Sequence, residues 1–325
     1  MKGLYLVSTI AAISHGQGRK EINEYPEDFI MLDQVSELPD HLPDNFDWGN
    51  INGKSYLTNI KQQHVPRYCG SCWAQATTSV MSDRIKIARD GAWPDINIAP
   101  QVLISCEHPD NGCHGGNPIT AWKYIKDNRI TDETCSIYRA AGHDNGWECS
   151  DIVKCRDCNP HEDCFIPDEY YDYTIDKYGG VYGEYAMMLE IYANGPITCG
   201  IDATPDLEQN YSGGIYRDTT GAMQTDHDIS IVGWGIENGQ KFWRIRNSWG
   251  THWGEEGFFR LVRGENNMAI ESNCTWAHPI DNWTKPIKHV TTDAERNNKK
   301  NNVTNREYPV GPPHLAESLF MQQRP

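Results

Sequence analysis

The stretch from Gln62 to Gln75, QQHVPRYCGSCWAQ, decides how the rest of this 325-residue chain is read. Ser71 stands where a helix N-cap is expected. Behind it Trp73, Ala76, Val80 and Ile87 recur on one helical face, which predicts a helix from Cys72 to Asp90, ended by Gly91 and Pro94. Cys72 would then be the first residue of that helix. A cysteine attacks only as thiolate, and its ordinary pKa is about 8.5. The positive end of a helix lowers that value, and a neighbouring imidazolium lowers it further. A working nucleophile therefore needs a histidine far away in sequence and near in space, a group to orient its ring, and donors for an oxyanion.

Twelve histidines compete for that place. His227 stands apart, at the head of the apolar run in TDHDISIVGWG, where a rigid strand would hold it. Read alone, it is as readily a surface residue at a strand start. Downstream, ENG at 237–239 predicts a hairpin, and RNSWG places Asn247 at the end of the returning strand. An Asn oxygen there would accept the imidazole N–H and fix its tautomer, and Trp249 would shield that bond.

Further helices are predicted over 119–128 and 183–194, and strands over 197–203, 228–235, 241–246 and 257–263. Helices early and strands late predict an α+β protein with two segregated lobes. The cysteine-rich stretch 135–164 reads as loops.

Taken together, Gln63, CGSCWA, CHGG at 113–116, HDISIVGWG and NSWG, in this order, resemble the papain family of cysteine peptidases. The resemblance covers roughly Leu42 to Ile280. It implies a helical lobe over about 60–165 and a β-barrel-like lobe over about 166–275, with the active-site cleft between them. It implies Cys72 as nucleophile, His227 as acid/base and Asn247 as the orienting group. The side chain of Gln63 and the backbone N–H of Cys72 would form the oxyanion hole. Gly115 and Gly116 would offer backbone to an extended substrate. A thiolate–imidazolium pair in the resting enzyme would support turnover at acidic pH. No cofactor is implied. The resemblance also implies the bridges Cys69–Cys113, Cys106–Cys149, Cys135–Cys155, Cys158–Cys164 and Cys199–Cys274, which leave Cys72 free among the eleven cysteines. Zinc binding by Cys155-x2-Cys158-x2-His161-x2-Cys164 is the competing reading, and an oxidising route argues against it.

In most members of that family the glutamine is separated from the first cysteine by a gap of two residues. Here the five residues His64 to Tyr68 intervene, stiffened by Pro66. Beginning beside the oxyanion hole, the loop would overhang the leaving-group side and leave room for one residue with a free carboxylate. Protonated His64, with Tyr68, would bind that carboxylate. His64-Val65-Pro66 resembles the His-Ile-Pro loop of the family's carboxypeptidases, which remove single C-terminal residues. The runs GAWP (91–94), TDETC (131–135), EIYANGPITCGI (190–201) and NMAIESNCT (267–275) agree. The implied partners are peptides and proteins with a free C-terminal carboxylate. An endopeptidase whose loop swings aside, and a secreted binding protein on a peptidase scaffold, are the alternatives.

Bulk properties set the context. The formal charge of −16, from 45 acidic against 29 basic residues, argues against nucleic-acid binding. Lys2 followed by an apolar run to Ile13, with small residues at Ala12 and Ser14, predicts a signal peptide over 1–14. That run is too short to span a bilayer of ~30 Å, so stable membrane insertion is not expected. Residues 15–41 read as a short propeptide that lacks a cysteine and an Arg-Gly-Asp. Residues 281–325 read as a disordered tail. Asn210, Asn282 and Asn302 stand in usable sequons. The expectation is a monomer in the lysosome or outside the cell, reached through the secretory route.

Overall fold

The helix that opens at Cys72 runs to Ala88 (α1), and all of it except Lys86 and Ala88 is buried. The computed structural model describes residues 18–22, 24–33, 42–160, 163–280 and 288–290. In chain order these carry β1 (Ile30–Met31), β2 (Phe46–Asp47), α1, α2 (Pro100–Cys106), α3 (Pro118–Asn128), α4 (Asp151–Lys154), β3 (Asp157–Cys158) and β4 (Cys164–Phe165). There follow β5 (Glu169–Tyr171), β6 (Ile175–Val181), α5 (Glu184–Asn194), β7 (Ile197–Ile201), α6 (Pro205–Asn210) and β8 (Ile215–Tyr216). The chain continues through β9 (His227–Glu237), β10 (Gln240–Arg246), β11 (Phe258–Val262), β12 (Cys274–Pro279) and β13 (Lys288–Val290).

A helix buried all round needs its polar side chains satisfied internally. Thr77, Thr78 and Ser82 donate back to the carbonyls of Trp73, Ala74 and Thr78 at 2.7, 2.8 and 2.6 Å. Asp83 pairs with Arg246 of β10 at 2.5 Å, both side chains almost fully buried. Arg84 pairs with Glu190 of α5 at 2.8 Å and donates to the carbonyls of Pro196 and Ala277. These contacts lock α1 between a helical core and a sheet. One core gathers Trp73, Val80, Met81, Leu103, Trp122 and Ile125 from α1–α3. The other gathers Ile191 of α5 with Ile231, Trp243, Ile245 and Phe259 of the sheet. Core membership does not divide at residue 165: Tyr178 of β6 and Ala277 of β12 belong to the helical core, while Phe46, Trp48 and Tyr56 pack against the sheet.

The large sheet runs β1-β6-β12-β7-β9-β10-β11-β8, with β2 also on β9. Among the described residues this is a linear path of paired strands. Its end strands, β1 and β8, are only two residues long each. The predicted hairpin is present: Glu237 pairs with Gln240 across Asn238 and Gly239, both at positive φ (51° and 79°), as a primed turn requires.

Five disulfides join Cys69–Cys113, Cys106–Cys149, Cys135–Cys155, Cys158–Cys164 and Cys199–Cys274. The cysteines of the alternative zinc reading are thus bridged. The segment read as a disordered tail contains a strand: β13 pairs antiparallel with β5, Lys288 opposite Tyr171 and Val290 opposite Glu169. An open strand edge offers backbone donors and acceptors that a short polar segment can satisfy regardless of its composition. The expected signal peptide at 1–14, Asn282 and Asn302 lie outside the described residues. Asn210 is exposed at the end of α6.

Candidate active site

Cys72 opens α1, and it is the one cysteine without a disulfide partner. Ser71 occupies the N-cap position, but its hydroxyl pairs with the Tyr138 hydroxyl at 2.7 Å instead of capping the helix. The helix N-terminus therefore stays open toward the sulphur. The backbone N–H groups of Trp73 and Asp228 act on the Cys72 sulphur and pull its pKa down. Asp228 immediately follows His227, so α1 and the head of β9 meet at this point.

His227 lies opposite Ile201 of β7 and is fully buried. Its Nε2 donates to Asn247 Oδ1 at 2.8 Å. Asn247 Oδ1 also accepts the Ser248 N–H at 2.8 Å, which fixes the amide orientation. The Trp249 ring stacks on the imidazole, centroids 4.7 Å apart and planes 23° apart, covering that bond. Among the described residues Nδ1 of His227 has no partner, which leaves it available to a reacting proton.

Gln63 is fully buried. Its Oε1 accepts the Ser248 hydroxyl at 2.7 Å and its Nε2 donates to Cys69 O at 3.2 Å. An amide nitrogen carries two hydrogens, so one remains for an oxyanion. Backbone bonds hold the residue as well: Gln63 N–H donates to Ser248 O at 2.9 Å, and Gln63 O accepts from the Tyr138 hydroxyl at 2.7 Å.

The five-residue loop is pinned at both flanks and within. Gln62 Nε2 donates to Trp249 O at 2.8 Å, Arg67 Nε donates to Ala140 O at 3.0 Å, and Cys69 is bridged to Cys113. The His64 ring stacks on Tyr68 at 4.6 Å and 7°, and its Nδ1 accepts the Cys69 N–H at 3.5 Å. That bond assigns the ring proton to Nε2. His64 and Tyr68 line a cavity of about 330 Å³ with Trp249, His252, Trp253 and Glu208. Burial holds the His64 imidazole below its ordinary pKa.

On the opposite side of the cleft, the N-terminal segment lies against Gly116. Lys20 N–H donates to Gly116 O at 2.6 Å, Gly116 N–H donates to Gly18 O at 2.8 Å, and Arg19 N–H donates to Asp226 O at 2.9 Å. The pairing is parallel. Gly116 cannot carry a side chain: a Cβ there would lie 2.5 Å from the Trp73 ring. Gly115, at φ +108°, faces Gly18 across the same contact. The Arg19 guanidinium forms an ion pair with Asp228.

Burial sets the ionisation of the pair beneath this segment. Burial pushes the Cys72 thiol well above its ordinary value, and the Asp228 carboxylate adds to the rise, against the backbone donors and Arg19. Burial also drives the His227 imidazole down to about 4, with Asn247 opposing and His64 assisting. In the covered state the two groups are a neutral thiol and a neutral imidazole. Burial of this kind disfavours the ion pair expected from sequence.

Sequence reading missed Asp228, Ser248, Tyr138, Glu208 and Arg19. Asp228 carried a signal: it is the one charge in the apolar run HDISIVGWG. The others are legible only from the fold.

The model of the papain family cysteine proteases matches residues 42–278. Cathepsin Z of Onchocerca volvulus is 44% identical over 250 residues, covering 74% of this chain and 79% of that protein. Cathepsin B-like cysteine proteinase 2 of Haemonchus contortus is 37% identical over 263 residues, covering 73% and 74%. Among solved structures, procathepsin B S9 from Trypanosoma congolense is similar with a TM-score of 0.64 and 26% identity, covering 82% of this chain and 87% of that one. Fold, order of motifs and family match agree, and the chain belongs to the papain family of cysteine proteases.

Proposed function

We propose that this cysteine peptidase is a carboxypeptidase of the cathepsin X (cathepsin Z) type, trimming single residues from peptide and protein C-termini. The observation that carries the reading is the pinned loop. His64 and Tyr68 close the leaving-group side over a cavity sized for one residue, and His64 Nε2 is free of the loop's own bonding. The relative named cathepsin Z supports the same reading. The anchors at Trp249, Ala140 and Cys113 weigh against a loop that swings aside for endopeptidase action.

The mechanism follows from the geometry. Once the cleft opens, the Cys72 thiolate attacks the penultimate carbonyl. Gln63 Nε2 and the Cys72 N–H stabilise the tetrahedral oxyanion. His227, held by Asn247 under Trp249, protonates the leaving amine and then activates water to release the acyl enzyme. The leaving amino acid carries its carboxylate toward His64. Glu208, in the same cavity, opposes that carboxylate when ionised. Low pH favours binding by protonating His64.

The wider setting belongs to the same reading: a signal peptide at 1–14, a propeptide at 15–41 that covers the cleft, and a monomer delivered to the lysosome or exported. Asn210, exposed on α6, is a glycan acceptor in that setting. Among the described residues no helix is long and apolar enough to cross a membrane.

Mass spectrometry of a peptide incubated with the activated protein at about pH 5 tests the reading, since histidine is then charged. Stepwise loss of single C-terminal residues is expected, and C-terminal amidation should suppress it. Internal cuts, or equal trimming of amidated and free peptides, would overturn it. A protein that binds peptides without cutting them would point to the binding-scaffold alternative.

A further inference from the structure

The Arg19 guanidinium enters the cleft beside the nucleophile and is almost fully buried with Asp228, at 7% and 0% side-chain exposure. Its floor is the backbone of β7. A Cβ on Gly200 would lie 2.6 Å from Arg19 Cζ and Nη1, so only glycine at this position leaves the space open. Among the described residues the Asp228 side chain has no other partner: Oδ1 accepts from Arg19 alone, and Oδ2, fully buried, has none. Removing Arg19 would leave a buried carboxyl with no donor at all, an unfavourable state that a new cation would relieve.

The backbone that delivers Arg19 matters equally. Residues 18 and 20 bond to both polar groups of Gly116, and residue 19 sits opposite it in a parallel pairing. A chain running the other way can use the same two groups of Gly116 in an antiparallel pairing and present a side chain to the same place. The backbone N–H of Asp228 acts on the Cys72 sulphur, and Arg19 and Asp228 both act on the thiol electrostatically, so this place lies beside the nucleophile. With the leaving-group side closed, all but the last residue of a substrate must lie on this side.

We infer that Asp228, over the bare floor of Gly200, selects a basic side chain on the residue preceding the one whose carbonyl is attacked, and that Arg19 is its built-in surrogate. The inference rests on the peptidase reading above. Arginine should exceed lysine, because its planar fork matches a carboxylate.

The test uses the full chain, activated by limited proteolysis of its N-terminal segment and titrated with a thiol-directed label so that rates refer to competent Cys72. Peptides share their last two residues and differ only in the preceding one: Arg, Lys, Leu or Glu. At about pH 6, kcat/KM for Arg over Leu should be about tenfold or more, as for a charge-assisted hydrogen bond, with Glu lowest. Asp228→Val should bring the Arg/Leu ratio toward one. Gly200→Ala, which fills the floor and leaves Asp228 in place, should do the same, and guards against a valine variant that fails to fold. In the unprocessed chain, Arg19→Ala should quicken labelling of Cys72. Equal rates for Arg and Leu in the wild type, or a basic preference that survives Asp228→Val, would overturn the inference. Internal cuts that keep the basic preference would support the pocket while defeating the carboxypeptidase reading.

Discussion

Replacing His64 by alanine isolates the carboxylate anchor. Nδ1 of His64 is engaged by the Cys69 N–H and the ring is stacked on Tyr68, so Nε2–H is the only donor the ring can turn toward a substrate. A charge-assisted hydrogen bond contributes about 1.5–3 kcal/mol, roughly tenfold to hundredfold in kcat/KM. Burial holds the His64 pKa below 6.5, so the imidazolium forms only as pH falls through that depressed value, and a bound carboxylate raises it again. The assay compares one peptide as free acid and as C-terminal amide over a pH series. For the wild type, kcat/KM of the acid should climb as pH falls while the amide gains nothing from this group. In His64→Ala the acid should drop by that tenfold to hundredfold, mostly in KM, and the acid/amide ratio should lose its pH dependence. Glu208→Gln should raise the ratio, since the native carboxylate lines the same cavity and repels the substrate's. An unchanged acid/amide ratio in His64→Ala would refute the anchor.

Three further outcomes test other parts of the molecule. Gln63→Ala removes the side-chain oxyanion donor and should lower kcat by about 10²–10³ with little change in KM; stopped-flow acylation of an ester substrate reads it. Asp83→Ala leaves Arg246 buried and uncompensated beneath the cleft, and should cost about 3–5 kcal/mol, read as a lower guanidinium midpoint. Burial pushes Glu107 up to about 8, with Asp110 beside it adding to the rise. A carboxyl raised on folding binds its proton more tightly in the native state, so its contribution falls as pH rises between about 4.5 and 8. Glu107→Gln should therefore raise Tm more at neutral than at acidic pH, and an equal rise at both would contradict the assignment.

Long-range positions of the site were legible because each was tied to a strong local signal. CGSCWA announced a helix start, ENG announced the hairpin that brings Asn247 back toward His227, and both elements form where the periodicity puts them. Other elements were hidden for physical reasons. β6 reads IDKYGGV, with adjacent glycines that break any strand pattern; Gly179 is needed because a Cβ would strike Ile30 O of β1 at 1.8 Å. α2 is a buried seven-residue helix opened by Pro100, too short for helical periodicity to emerge. Segregation of helices and strands along the chain does not require segregation in the core. Residues 46–57 come before α1 and still pack on the sheet, which no local pattern records.

The least legible part was the cover. Residues 15–41 lack the cysteine that would cap a thiol covalently, so sequence left only steric or polar means of latency. Three backbone bonds and one ion pair now supply a polar means. Blocking substrate is half of the effect. Placing Gly18, Arg19 and Lys20 over the cleft also removes water from Cys72 and His227, and desolvation disfavours both charged forms at once. The nucleophile is thus obstructed and un-ionised by the same contact. Activation by removal of the leader would reverse both: water returns, the thiolate–imidazolium pair becomes favourable, and Asp228 is left as a buried carboxyl seeking a cation. A cover held without a covalent bond must be dislodged by whatever weakens Arg19–Asp228. Asp228 is already raised to about 6 by burial in spite of Arg19, so acidification through that range neutralises the carboxyl and removes the charge that holds the cover. Alkylation of Cys72 in the unprocessed chain should accordingly accelerate as pH falls below about 6, after correction for thiolate content, and Asp228→Asn should abolish that acceleration. A corrected rate that stays flat through this range would mean that the backbone bonds to Gly116 and Asp226, and not the ion pair, hold the cover in place.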